Sequence, residues 1–167
     1  FTLNGKTVTA PEDRSLLEIA DEHGAEIPRL CYMPGMRADG NCRTCMVEIA
    51  GERVLAPSCC RHPKEGMEVT TNSARAVTSQ KISLELLLAD MPEASYTRES
   101  ELEQWATKMG VGRPRFGARP QPAADLSHPA MAVHLDACIQ CTRCVRACRE
   151  EQVNDVIGYA FRGAHSK

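Results

Sequence analysis

The sequence predicts an α+β fold: a mixed sheet of four or five short strands over one crossing helix, then further helices and a second cysteine-bearing segment. Three observations carry this. Short strand-like stretches separated by turn dipeptides run over residues 1–72, one helix signal with capping-box spacing interrupts them, and nine cysteines fall into an early and a late group.

Taken in order, Asn4-Gly5 tolerates the positive φ of a tight hairpin turn, so two short strands flank it. Pro11 to Gly24 reads as a helix: Ser15 and Glu18 have capping-box spacing, Leu16, Ile19 and Ala20 share a face, and Gly24 is a terminator. A cysteine-bearing loop follows from Cys31 to Cys45. A strand at Met46–Ile49 turns through Ala50-Gly51 into a second over Arg53–Leu55, and Met67 to Thr71 supplies the last. A second helix is expected over Ser73–Asp90, closed by Met91-Pro92. A third is expected over Glu99–Met109, with Leu102, Trp105, Ala106 and Met109 at helical spacing as core residues.

From Gly112 to Pro129 the composition shifts to Pro, Gly, Arg and Ala without apolar period, which reads as a linker in which Arg113, Arg115 and Arg119 are solvated. The domains are therefore expected at 1–72 (sheet domain), 73–111 (helical connector), 112–129 (linker) and 130–167 (second cysteine segment).

The chain has 167 residues and a net charge of -2, so no basic excess favours nucleic acid. No apolar run approaches the roughly 18 residues of a membrane span, which leaves proteins as partners. Aromatics are 4% of residues, so the core is short of large rings and bound inorganic groups would help hold it. An odd number of cysteines, several with only two residues between them, suits metal chelation better than disulfides, and the opening residues Phe1-Thr2-Leu3-Asn4 show no charged-then-apolar pattern. A reducing cytoplasm is the expected location. The chain opens on Phe1 and is expected to be part of a longer polypeptide.

Cys31, Cys42, Cys45 and Cys59 are spaced C-x10-C-x2-C-x13-C, three on one loop and the fourth after the strand that follows. Thiolate is the soft ligand of iron-sulfur clusters, and such a loop wraps a flat 2Fe-2S centre. The close pair Cys42 and Cys45 is expected to reach one iron, with Cys31 and Cys59 at the remaining positions. Gly35 and Gly40 let the backbone bend close to cluster sulfurs. The competing reading is a structural zinc site, which usually presents two close cysteine pairs where this chain has one. Cys60 adjoins Cys59, and spacing alone leaves open which points inward.

Cys138, Cys141, Cys144 and Cys148 form C-x2-C-x2-C-x3-C, the run by which bacterial ferredoxins ligate a 4Fe-4S cubane with the first three thiolates and send the fourth to a second cluster. Arg149 stands where that run has proline. Either the remaining ligand lies in sequence beyond Lys167, or Cys148 or another side chain completes a single cluster. His134, four residues before Cys138, reads either as an iron ligand or, in preference, as a partly buried, hydrogen-bonded histidine, and His128, followed by Pro129, has the weaker claim to iron. Arg143, Arg146 and Arg149 recur at every third residue beside the run, to offset cluster charge, meet a partner or stay solvated.

Asp39-Gly-Asn-Cys-Arg-Thr-Cys-Met-Val-Glu-Ile and Glu52-Arg-Val-Leu-Ala-Pro-Ser-Cys resemble the 2Fe-2S domain shared by complex I, NAD-linked hydrogenases and NAD-dependent formate dehydrogenases. The resemblance implies a β-grasp, ferredoxin-like first domain and, from the Leu-x-x-Ser-Cys context, Cys59 as ligand with Cys60 the bystander. The stretch from Cys138 to Tyr159 is especially similar to large subunits of soluble NAD-dependent formate dehydrogenases. That implies an electron-carrying part of an oxidoreductase with no catalytic residue of its own. A molybdenum or tungsten bis-pterin domain oxidising formate, and a partner subunit holding flavin (FMN) and NAD, would lie elsewhere. A diaphorase-side subunit of a NAD-linked hydrogenase or complex I-like enzyme is the alternative. Complex I and hydrogenase relatives usually carry a His-x3-Cys-x2-Cys-x5-Cys cubane site after the second helix, and the stretch from Asp90 to Ser100 has neither His nor Cys. That cluster is expected to be missing.

Overall fold

A computed structural model of the protein describes residues 1–91, 100–118, 120 and 122–166. Glu99, Arg119 and most of the segment where the third cluster site was sought lie outside the described residues. The chain divides into two compact units, Phe1–Ser83 and Leu84–Lys167.

In the first unit, β1 (Thr2–Leu3) and β2 (Lys6–Thr7) form the expected hairpin, with Asn4 at φ 49° and Gly5 at φ 80°. Helix α1 covers Leu16–Glu22, later than the Pro11 start expected. Ser15 is extended, its hydroxyl accepts from the Glu18 N–H, and the Glu18 carboxylate accepts from the Ser15 N–H, so the helix begins only after this reciprocal cap. At the other end Gly24 (φ 69°) donates to the Asp21 carbonyl and Ala25 to that of Ala20, a pairing that needs a left-handed residue at Gly24.

Strand β3 is Met46–Ile49 as expected, but its partner β4 is Ala56–Pro57 and not Arg53–Leu55. Ala56 packs into the core opposite Val47, whereas Val54 is exposed. Strand β5 (Glu68–Thr70) runs parallel to β1 and antiparallel to β3, giving the order β2-β1-β5-β3-β4. One face of this sheet, with Leu3, Val47, Ile49 and Val69, buries Leu16, Leu17, Ile19 and Ala20 of α1. Helix α2 spans Ala74–Ala89, with Ala76, Gln80 and Leu84 buried along one face.

In the second unit α3 covers Glu101–Lys108, capped by Ser100, with Leu102 and Ala106 buried and Trp105 and Met109 half-buried. The expected linker is not all irregular. β6 (Asp125–His128) pairs antiparallel with β7 (Met131–Val133) around Pro129-Ala130, and every residue of both strands is exposed. With no buried face there is no alternation for sequence patterning to detect. Arg115 is not a free solvated cation either: its Nε and Nη2 each donate at 2.8 Å to the Glu85 carboxylate, and its N–H at 2.9 Å. A 3-10 turn, Leu135–Ala137, leads to the late cysteine run, followed by α4 (Arg143–Arg146) and a wider turn over Ala147–Glu151. Among the described residues no helix is long and apolar enough to cross a membrane.

Candidate metal centre

The first cysteine loop leaves the core through Ile27, Pro28 and Leu30, all buried, so Cys31 starts from a fixed point. The loop returns through Gly40 (φ 64°) and Arg43 (φ 55°) to bring Cys42 and Cys45 to the head of β3. Gly40 is required twice over: its backbone is left-handed, and a Cβ there would stand 3.0 Å from the Cys60 sulfur.

The sulfurs pair, though not as the spacing suggested. Cys31 Sγ lies 3.4 Å from Cys42 Sγ, and Cys45 Sγ lies 3.5 Å from Cys59 Sγ. Cys42 thus stands beside Cys31, and Cys45 beside Cys59. Cys42 and Cys45 lie three positions apart with a left-handed backbone at Arg43 between them. Two thiolates on one tetrahedral iron with bonds of about 2.3 Å stand about 3.8 Å apart, so each pair has nearly the edge length of a single metal's coordination. Four thiols in two such pairs, none in a disulfide, fit a two-iron group.

Cys59 reaches Cys45 because the 3-10 turn Ser58–Cys60 hangs from one atom. The Ser58 N–H and hydroxyl both donate to the Cys45 carbonyl, at 3.0 and 2.8 Å. That turn buries Cys59 and leaves Cys60 exposed, with Cys60 Sγ 3.5 Å from Cys59 Sγ. Thr44 is wholly buried, its hydroxyl 3.2 Å from Cys42 Sγ. Gln80 of α2 donates to the carbonyls of Met46 at 2.8 Å and Thr71 at 3.2 Å, holding the start of β3 in place.

The pairing governs the acid-base character of the thiols. Cys31 is held down to about 2 by hydrogen bonding from Cys42 and then Cys59, and Cys42 is pushed up by the same contact with Cys31. Cys59 hydrogen-bonds Cys45 and lowers it to about 7, while Cys59 itself is raised by its contacts with Cys31 and Cys45. One sulfur of each pair is thus disposed to be thiolate, the form that binds metal.

In the second unit, Gln140 (φ 55°) and Thr142 (φ 62°) coil the backbone between Cys138 and Cys144. The Gln140 N–H donates to Cys138 Sγ at 3.4 Å, and the Tyr159 hydroxyl stands 3.9 Å from the same sulfur. Burial, and then the charges of Cys138, Cys144 and Cys141, raise Tyr159. Cys148 is buried and instead accepts the Val156 N–H at 3.3 Å. The three arginines differ from one another. Arg143 pairs with Glu101 at 2.6 Å and Arg149 with Asp155 at 2.8 Å, whereas Arg146 is buried, its Nε donating to the Thr142 hydroxyl. Arg146 therefore braces the coil and is not a solvated charge. His134 leads into the 3-10 turn and accepts the Ala137 N–H at its carbonyl; His128 lies on β6 and accepts the Ala130 N–H at Nδ1.

Thr44, Ser58 and Gln80 were not singled out from sequence. Gln80 left a signal, being polar on the Ala76–Gln80–Leu84 face where an apolar residue is the rule.

A five-stranded mixed sheet over one helix, with a thiol-bearing loop at the head of a central strand, defines the ferredoxin-like fold of 2Fe-2S domains in hydrogenase and complex I subunits. Residues 1–74 match the family described as "2Fe-2S iron-sulfur cluster binding domain". The NADP-reducing hydrogenase subunit HndD of Solidesulfovibrio fructosivorans is 33% identical over 178 residues, covering 98% of this chain and 30% of its own length. The mitochondrial NADH-ubiquinone oxidoreductase 78 kDa subunit of Neurospora crassa is 34% identical over 168 residues, 95% of this chain and 22% of its own. A crystal structure of NAD+-reducing NiFe-hydrogenase in the H2-reduced state superposes with a TM-score of 0.87 at 29% identity, over 99% of this chain and 71% of that one. The chain thus spans less than a third of the curated relatives it matches.

Proposed function

We propose that this chain carries electrons through iron-sulfur clusters as part of a NAD-linked oxidoreductase of the hydrogenase or complex I type. The observation that carries the proposal is the meeting of four thiols as two pairs, at 3.4 and 3.5 Å. In this reading Cys31 and Cys42 hold one iron of a 2Fe-2S cluster and Cys45 and Cys59 the other. Cys138, Cys141 and Cys144 hold a 4Fe-4S cluster, and Cys148, facing Val156, serves a second cubane completed by other sequence. A bound cluster supplies one-electron exchange without bond chemistry. The chain's own residues fix sulfur positions through Ser58 and Gln80, exclude water by burying Cys31, Cys45 and Cys59, and aim N–H groups at sulfur through Cys31 and Gln140. The domains are taken as 1–72, 73–111, 112–129 and 130–167, and the setting as a reducing cytoplasm with a flavin- and NAD-binding partner subunit.

A formate dehydrogenase is the second reading. It is favoured by the stretch from Cys138 to Tyr159 and by the absence of His and Cys between Asp90 and Ser100, and it would add a molybdenum or tungsten bis-pterin partner. The test is the intact complex, purified without oxygen and assayed for metals and for NAD reduction. Hydrogen-dependent reduction, or NADH oxidation by a quinone, supports the first reading; formate-dependent reduction with molybdenum or tungsten selects the second. Zinc without iron in this chain overturns both.

A further inference from the structure

Two buried hydroxyls stand at the first site. That of Ser58 is committed to the Cys45 carbonyl at 2.8 Å. That of Thr44 lies 3.2 Å from the Cys42 sulfur and 3.4 Å from the Pro28 carbonyl oxygen. An O–H···O bond normally spans about 2.5–3.0 Å, so the Pro28 contact is stretched, whereas 3.2 Å is close for sulfur, a larger atom. Thr44 has no exposed surface, and a buried hydroxyl must spend its proton on a protein acceptor. A sulfur bound to metal is a thiolate, which accepts and cannot donate, so the proton between these atoms belongs to Thr44.

We propose that Thr44 is a positioning residue of the first cluster, its hydroxyl donating a hydrogen bond to the Cys42 sulfur and raising the reduction potential. The inference rests on reading Cys31, Cys42, Cys45 and Cys59 as the ligands. Reduction adds one electron and so adds negative charge to the sulfurs. A donor aimed at one of them stabilises the reduced form more than the oxidised one. Nothing in this step breaks or forms a covalent bond, and the electron comes from the neighbouring redox partner of the complex. The hydroxyl is held by burial between the left-handed turn at Arg43 and the head of β3, so it cannot swing to water when the charge changes.

The test is a redox titration of the first cluster's EPR signal in the full chain, comparing wild type with Thr44→Val, Thr44→Ser and Thr44→Ala. Val keeps the shape and loses the donor; Ser keeps the donor. The oxidised-to-reduced ratio at fixed potential is expected to rise roughly threefold or more in Val, a shift of about 28 mV to more negative potential at 59 mV per tenfold. Ala is expected to shift in the same direction and Ser to return toward wild type, all with undiminished signal per chain. A wild-type midpoint in both Val and Ala overturns the inference, as does a shift in Val alone, which would belong to the added methyl. If Val fails to hold the cluster, the Ala and Ser midpoints decide between the same two results. A wild-type chain without a 2Fe-2S signal overturns the ligand reading itself, and this inference with it.

Discussion

Replacing Gln80 by Leu tests whether a single buried amide holds the cysteine loop against the sheet. The side chain is 2% exposed, and its amide nitrogen donates to the Met46 carbonyl at 2.8 Å and the Thr71 carbonyl at 3.2 Å. A net hydrogen bond contributes about 1 kcal/mol, and a buried carbonyl left without a donor costs about as much again or more. Leu matches the bulk but donates nothing, so the expected destabilisation is about 2–3 kcal/mol. That range shifts the folding equilibrium roughly 30- to 150-fold at 1.36 kcal/mol per tenfold. Urea unfolding of the full chain, followed by far-UV circular dichroism and by bleaching of visible absorbance, reads it out. Because Met46 follows Cys45 directly, bleaching is expected to move to lower urea at least as far as the dichroism. Thr78→Ala is the control on the same helix: its hydroxyl bonds only to the exposed turn before it, and the change should stay within about 0.5 kcal/mol. A Gln80→Leu protein that unfolds and bleaches with the control refutes the anchoring role.

Four further outcomes are expected. Ser15→Ala removes the hydroxyl half of the α1 cap and leaves the backbone N–H bond to Glu18; it should cost about 1 kcal/mol in the same urea assay, with Ser15→Thr retaining most of the cap. Gly40→Ala forces a side chain onto a left-handed backbone, costing about 1–2 kcal/mol, and presses on the Cys60 sulfur; adding Cys60→Ala should relieve only the second part, and full rescue would refute the backbone argument. Cys45→Ser should damage the 2Fe-2S EPR signal and leave the cubane signal intact, so that loss of both together sinks the idea of independent sites. Arg115 holds Glu85 at about 2, below its ordinary 4.5. A depressed carboxyl contributes stability in full above its unfolded value and loses it as pH falls through the folded one. Carbon NMR should therefore find Glu85 still mostly ionised at about pH 4, and an Arg115→Met protein should titrate nearer the ordinary value; an ordinary wild-type titration removes the pair from the account.

The features legible in the sequence were those written in local spacing. Asn4-Gly5 announced a hairpin and Ser15 with Glu18 a helix start, because each depends on residues within a turn of one another, whereas the choice of Cys59 over Cys60 came from the family resemblance of Leu55 through Cys59 and not from spacing. The pairing of sulfurs was not legible, since Cys42 and Cys45, three positions apart, have a left-handed residue between them at Arg43 that spacing does not reveal. The β6–β7 hairpin escaped because it buries nothing, and the burial of Arg146 because charge pattern alone assigns an arginine to solvent. Ser58 stood in the Leu-x-x-Ser-Cys stretch and Thr44 between two cysteines, but only three-dimensional contact brings Ser58 to the Cys45 carbonyl and Thr44 beside the Cys42 sulfur.

The two bonds from Ser58 to one carbonyl also decide how the site closes. They tie a loop back to Cys45 thirteen residues away, one from the backbone N–H and one from the side-chain hydroxyl. Closing a loop of that length costs about 2 kcal/mol of chain entropy, which the two Ser58 hydrogen bonds help to offset. The Cys45 and Cys59 sulfurs stand 3.5 Å apart at the two ends of that loop, so the spacing of this pair is carried by Ser58 as much as by the cysteines themselves.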